Sequence, residues 1–317
     1  MKIFSEYFNT GSIKQQNMKR LGGLLICITA LLLVLTLLIL SVSSIAIAIK
    51  NRKAQNPDDT GEAPGSNIPA GYTTTTFDAT QLASGALLLV DESHPYTGTP
   101  TVVEFKLSED RAKTESGSVI YSVGGDGKAA IADAVKAFNA MAAAFYKESN
   151  DTNLYISSAY DTTATSQKIG YEAGTMLELD YYVDFDADPM DIKSIYQIEK
   201  YKWIYDNAKN YGFVQASTAE GEENIFRYVG IAHATYMTNN NKTLAEYLTY
   251  LRENKNAANK ALTISAKDLE GNSVSYRVYY MAATETPVVP TKYTYEVSGD
   301  NMGGYIITVN NSAKVSN

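Results

Sequence analysis

Residues 203–213 read WIYDNAKNYGF, residues 221–230 read GEENIFRYVG and residues 243–251 read TLAEYLTYL. The first block continues a helical pattern over 195–211, in which Tyr201, Ile204, Ala208 and Tyr211 share one face. Gly212 stands where such a helix ends. The third block opens on Thr243, whose hydroxyl can cap a helix while Glu246 reaches back to it, a capping-box spacing. Leu244, Tyr247, Leu248 and Leu251 then form the apolar side of that helix. Two amphipathic helices therefore bracket GEENIFRYVG.

Upstream, β-rich runs alternate with helical ones. Residues 86–90 and 102–105 read as first strands, and Ile131, Val135, Phe138, Ala142 and Phe145 make one apolar stripe of a helix over about 128–147. Residues 154–157 and 176–183 (MLELDYYV) read as strands, the second partly alternating apolar and polar side chains. Downstream, 261–264 and 274–280 are strand-like. Beyond Pro287 and Pro290, 293–297 and 305–309 can pair as a hairpin across SGDNMGG. The pattern predicts an α+β domain over 79–285 with a small β appendage over 286–317.

The 317-residue chain is not globular throughout. Residues 21–49 carry no charge and are dominated by Leu, Ile, Ala and Val, long enough to cross a bilayer. They predict a transmembrane anchor behind a cytoplasmic segment, 1–20, with cleavage after Ala46-Ile47-Ala48 as the rival reading. Lys and Arg flank the run almost evenly, so charge alone does not orient it. Residues 50–78, rich in Pro, Gly and small polar residues, read as a flexible linker. The single cysteine, Cys27, lies inside the apolar run, leaving the rest without thiol or disulfide, which suits a Gram-positive cell surface. Residues 1–53 hold seven Lys or Arg and one acid, so the remainder carries 20 basic and 34 acidic residues. So acidic a domain is a poor partner for nucleic acid or anionic lipid.

The order of these blocks resembles the VanY-type zinc D-Ala-D-Ala carboxypeptidases, with the likeness covering about 87–252 and strongest from Trp203 onward. The resemblance implies a D-Ala-D-Ala carboxypeptidase/Hedgehog-like domain on the extracytoplasmic side of the membrane. It also implies where functional residues should stand. In GYEAGTMLELD, Asp180 matches a zinc-binding aspartate, Thr175 the family threonine, and Ala173 falls on a zinc histidine. In GEENIFRYVG, Glu222 matches the general base, Asn224 the usual tryptophan, Ile225 the second zinc histidine, and Arg227, Tyr228, Val229 and Gly230 the tail. SSAY at 157–160 sits where the family has Ser-Gly-Tyr-Arg, so Tyr160 and Asp161 take cleft positions, Asp161 replacing a substrate-binding arginine. Arg227 is a third expected substrate-binding position.

A catalytic zinc needs three protein ligands and an open water position. Neither alanine nor isoleucine can supply one, so Asp180 alone remains, no cofactor is expected, and Glu222 becomes a vestigial base. A shifted ligand set using Glu172 or Glu178 is the alternative, with oxygens suited to a harder ion. His94 and His233 lie outside both motifs and read as structural. In and after the run DYYVDFDADPMD (180–191), Pro189 and Ile195 stand where an EF-hand needs Gly and Glu, and the run reads as a solvated acidic loop. GGDGK at 124–128 lacks the second half of a P-loop. Three functions stay open: a non-catalytic binder of cell-wall peptide or a protein partner, an active D,D-carboxypeptidase with a rearranged metal site, and a structural subunit of a membrane complex.

Overall fold

The computed structural model describes residues 68–315 apart from 110, 185 and 188. The expected anchor over 21–49, the segment before it and the linker up to residue 67 lie outside the described residues. Among the described residues no helix is long and apolar enough to cross a membrane.

The central sheet forms where apolar and polar residues alternate. Strand β7 (Met176–Asp184) buries Leu177 and Leu179 on one face, with Tyr181 packed against the same core, leaving Met176, Glu178 and Asp180 on the other. β5 (Leu154–Ser158) and β10 (Ile225–Tyr228) pair with it from either side, both antiparallel. β3 (Ser122–Val123) lies beyond β5 and β9 (Phe213–Gln215) beyond β10, while β8 (Asp191–Ser194) pairs with β7 as a hairpin arm. Helix α1 (Ala132–Ser149) buries Val135, Phe138, Met141, Ala142 and Phe145 in the core of this sheet, as its stripe predicts. Phe138 meets Phe105, Tyr121 and Phe213 edge-on at 5.6, 4.9 and 6.5 Å between centroids. Truncating so enclosed a ring costs about 3–5 kcal/mol.

The predicted start of this helix differs. Residues 128–131 form strand β4 (Lys128–Ile131), set between β2 (Val102–Glu104) and β6 (Tyr160–Asp161) in a separate three-stranded sheet. Ala129 and Ala130 are fully buried there, and small side chains suit a strand enclosed on both faces as well as they suit a helix. Residues 86–90 form no strand. Their backbone is held by the C-terminal region instead: Ser298 Oγ accepts from Leu87 N, Asp300 O accepts from Leu89 N, and Asn301 Nδ2 donates to Leu89 O. The helix expected over 195–211 is shorter, α2 (Lys202–Asn207), flanked by 3-10 turns at Glu199–Tyr201 and Ala208–Tyr211. Gly212 ends it at φ 82°, and a Cβ there would stand 2.7 Å from the Tyr228 ring.

Helices α3 (Ile231–Asn239) and α4 (Leu244–Asn254) follow, the latter with the Thr243–Glu246 capping box in place. They pack on a four-stranded antiparallel sheet ordered β11 (Leu262–Lys267), β12 (Ser273–Ala282), β15 (Gly304–Lys314), β14 (Tyr293–Gly299). β14 and β15 form the predicted hairpin, yet it is not an appendage. β15 lies between β12 and β14, and Ile306 shares a core with Leu244, Leu248, Leu251 and Val278. His233 ties the layers together: Tyr247 Oη and Thr308 Oγ1 each stand 2.9 Å from its ring nitrogens, and burial holds its pKa down at about 3. β1 (Tyr72–Thr74) and β13 (Val288–Pro290) complete the unit, which runs from Ile68 to the C-terminus.

Candidate functional site

The exposed face of β7 and β10 carries the residues to which chemistry was assigned. In the antiparallel register Ile225 lies directly opposite Glu178, so the two side chains stand side by side, with Asp180 next along β7. Asn224, one residue before β10, donates from Nδ2 to Asp180 Oδ1 at 2.7 Å and to Leu179 O at 3.1 Å. Asp180 is half-buried. Desolvation raises its pKa, and the neighbouring Glu178 charge adds to that, against hydrogen bonds from Ser157 and Asn224 and the positive charge of Lys168.

Tyr171, in the turn before β7, is only 4 % exposed, and its hydroxyl has no hydrogen-bond partner among the described residues. Burial raises its pKa, and so do the charges of Glu178, Glu222 and Asp180. Lys168 stands over this group, with Nζ 5.7 Å from the Tyr171 ring centroid, 3.2 Å from Ser158 Oγ and 3.5 Å from Glu178 Oε2. Sequence reading passed over Tyr171 and Lys168 entirely. The period of β7, which puts Glu178 and Asp180 on one face, was the available signal for Glu178.

The other expected positions have further neighbours of their own. Ala173 is buried in a small apolar cluster with Leu88 and Val90, flanked by Tyr96. Tyr160 lies on β6 near Tyr96, whose pKa is raised by burial and by the Tyr160 phenol. Asp161 is paired within the fold. Its Oδ2 accepts from Lys128 Nζ at 2.6 Å and its Oδ1 from Thr163 Oγ1 at 2.6 Å, contacts that hold its pKa well below the carboxylate range. Arg227 does not open on a cleft. It is buried, donating to Leu88 O at 2.8 Å, and desolvation lowers its pKa to about 10 against the charges of Glu172 and Asp91. Its work is to clamp the 88–90 segment onto β10. His94 bonds Asp91 at 2.8 Å.

The donor set does not fit a catalytic zinc. Of the three family positions, Ala173 and Ile225 offer no donor atom, and one oxygen of Asp180 is already bonded to Asn224. Among the described residues no three of His, Cys, Asp and Glu form a group that could hold a metal ion. The β7–β10 face instead presents two carboxylates, Glu178 and Asp180, beside the apolar Ile225.

No protein-family model matches the chain. Over 118 residues it is 36% identical to a D-alanyl-D-alanine carboxypeptidase of Enterococcus faecium, a match covering 34% of this chain and 36% of that relative. The chain thus spans about a third of the length of the curated relative it matches. Among solved structures, the vancomycin-resistance D,D-dipeptidase VanXYg, in complex with a D-Ala-D-Ala phosphinate analogue, superposes with a TM-score of 0.53 at 15% identity. That match covers 75% of this chain and 99% of the other. VanYB in complex with D-alanine-D-alanine aligns over 52% of this chain and 97% of its own, with a TM-score of 0.33 and 15% identity. Over about a third of its length the chain is similar in sequence to a D-alanyl-D-alanine carboxypeptidase, and its fold is that of the D,D-dipeptidase VanXYg.

Proposed function

We propose that the chain is a membrane-anchored, extracytoplasmic protein that holds cell-wall peptide without cutting it. The observation that supports this reading is the position of Ile225. Its aliphatic side chain stands beside Glu178 on the face that also bears Asp180, where a zinc histidine would have to be. Ala173, at the other histidine position, is packed against Leu88 and Val90. Without an acidified water, Glu222 has nothing to deprotonate. The relatives named above act on or were crystallised with D-Ala-D-Ala compounds, which makes a stem peptide the ligand class to try first. The anchor over 21–49 would hold the domain outside the membrane, and its net negative charge would keep it off an anionic surface.

The test uses the full-length chain in detergent with a stem peptide ending in D-Ala-D-Ala. The expected result is saturable binding below millimolar concentration with no D-Ala released, unchanged by added zinc or by chelator. Release of D-Ala that a chelator abolishes would overturn the reading in favour of an active carboxypeptidase with rearranged ligands. Protease added outside intact cells should remove the domain, and protection would place it on the other side of the membrane.

A further inference from the structure

Strand β11 ends the four-stranded sheet, and among the described residues no strand pairs with its outer side. Asp268 N donates to Asn272 O at 3.0 Å across the β11–β12 turn, and Tyr280 N donates to Lys255 O at 2.8 Å on the β11 side of β12. Both bonds fix the alternation of the antiparallel ladder. Leu262, Ile264 and Ala266 bond β12, and the N–H and C=O groups of Thr263, Ser265 and Lys267 point outward. Among the described residues no hydrogen bond from outside the sheet reaches those groups. Exposed edges usually carry a bulge, a proline, a charge within the strand or a covering element. The opposite edge, β14, has a bulge at Tyr293/Thr294, an exposed Glu296, and Gly299 N bonded to Ser84 O beside the Ala79–Ala83 turn. β11 has an unbroken register and a single charge, Lys267, at its last position. Nothing on it keeps a further strand away.

We propose that β11 takes up an extended segment of another protein as a fifth strand, one with acidic side chains on one face and apolar side chains on the other. The outward N–H and C=O groups call for a partner that offers backbone acceptors and donors at strand spacing. Two clefts that share Ser265, Ala266 and Lys267 set the side-chain pattern. On the exposed face a cleft of about 460 Å³ is walled by Ser265, Lys267, Ser273, Ser275 and Ser312. Lys267 has no ion pair among the described residues, while both carboxylate oxygens of the adjacent Asp268 are bonded to Asn272. Hydroxyls and an unpaired ammonium suit a carboxylate. On the helix face a cleft of about 510 Å³ lies among the half-buried Tyr211, Ile231, Thr235 and Leu269, which suit an apolar side chain. Side chains of a strand alternate between faces, so one peptide fills both clefts. Asn210 and Tyr211 also line the second cleft, where α3 of a second copy paired edge to edge would have to lie, and this favours a single strand. The surface shares no residue with the β7–β10 face.

The experiment uses the full-length chain in detergent and the peptide acetyl-Ser-Glu-Val-Glu-Leu-Glu-Ser-amide, read by hydrogen exchange at single amides. Saturating peptide should slow the amides of Thr263, Ser265 and Lys267 by at least about tenfold and leave those of Leu262, Ile264 and Ala266 unchanged. The same peptide with methylated backbone nitrogens keeps every side chain, loses its donors, and should give no protection. Lys267→Glu, at an exposed position, should leave Tm unchanged and weaken the parent peptide by about fivefold or more. Absence of protection, equal protection by the methylated peptide, or uniform slowing of every β11 amide overturns the proposal. A free chain that sediments as a dimer with the Thr263, Ser265 and Lys267 amides already protected also overturns it, and assigns the edge to a second copy.

Discussion

Replacing Arg227 by methionine separates a packing role from a ligand-binding one. The guanidinium is buried, donates to Leu88 O at 2.8 Å, and lies close enough to Glu172 and Asp91 for their charges to favour its own. Methionine keeps the stem volume but removes the donor, leaving the Leu88 carbonyl without its bond, and the Glu172 Oε2 atom already has no partner. A hydrogen bond to a charged group is worth about 1.5–3 kcal/mol, and breaking a buried charge network from one side costs about 3–5 kcal/mol. Relief of the desolvation borne by the arginine offsets part of that, which sets the net loss at about 2–4 kcal/mol. For a unit of this size each kcal/mol moves Tm by about 2–4 °C, so the variant should melt about 5–15 °C lower. Calorimetry of the full-length chain reads this directly. Arg227→Lys should fall between, because an ammonium cannot span the same carbonyls in a fixed fork. A Tm unchanged within about 1 °C, coupled with lost peptide binding, would refute the clamp and return Arg227 to the cleft.

Three further outcomes follow from the same geometry. The Asp180 pKa is raised in the fold by desolvation and by Glu178, so its carboxylate stabilises the fold only below its unfolded pKa and loses that contribution as pH rises through the folded value. Asp180→Asn keeps the bond from Asn224 and should therefore melt higher than the parent at pH 7, with the gap closing as pH falls below 4, and a gap that widens on acidification would contradict the assignment. Gly212→Ala places a Cβ 2.7 Å from the Tyr228 ring at φ 82° and should destabilise by about 1–3 kcal/mol in denaturant melts, whereas a neutral effect would mean that the α2–β9 turn relaxes freely. Ala173→His with Ile225→His adds two imidazoles to Asp180, and zinc content of the purified double variant should rise to about one per chain while each single variant stays metal-free. Metal-free double variant would show that the three family positions do not converge.

Much of the fold was legible because it is local. The Thr243–Glu246 cap, the stripe of α1, the alternation of β7 and the terminating Gly212 are each written in a window of a few residues. What failed was long-range. Residues 86–90 look like a strand, yet their hydrogen bonds go to Ser298, Asp300, Asn301 and Arg227, partners more than a hundred residues away. The C-terminal hairpin looked peripheral because nothing in 293–314 announces that β15 pairs with β12 and buries Ile306 against α4. At the site, the spacing of Glu178 and Asp180 was readable, but the approach of Lys168 and Tyr171 to them depends on how the 162–175 segment folds back. The pairing of Asp161 with Lys128 from another strand is long-range in the same way.

The residues that make the chain recognisable and the residues that would make it a hydrolase have different physical duties. In Arg-Tyr-Val-Gly, Arg227 clamps Leu88, Tyr228 packs on Phe213 and closes over Gly212, Val229 N donates to Gly212 O at 2.8 Å, and Gly230 at φ 84° begins α3. Each of these positions has a steric or hydrogen-bonding task in the fold whether or not a metal is bound, and each substitution would cost stability. Ala173 and Ile225 are the positions at which the resemblance would place a histidine, and neither has such a task. An alanine fills the pocket against Leu88 and Val90, and an isoleucine is a good strand former at the mouth of β10. A fold can thus keep the motif tail and exchange the ligand positions at little cost in stability.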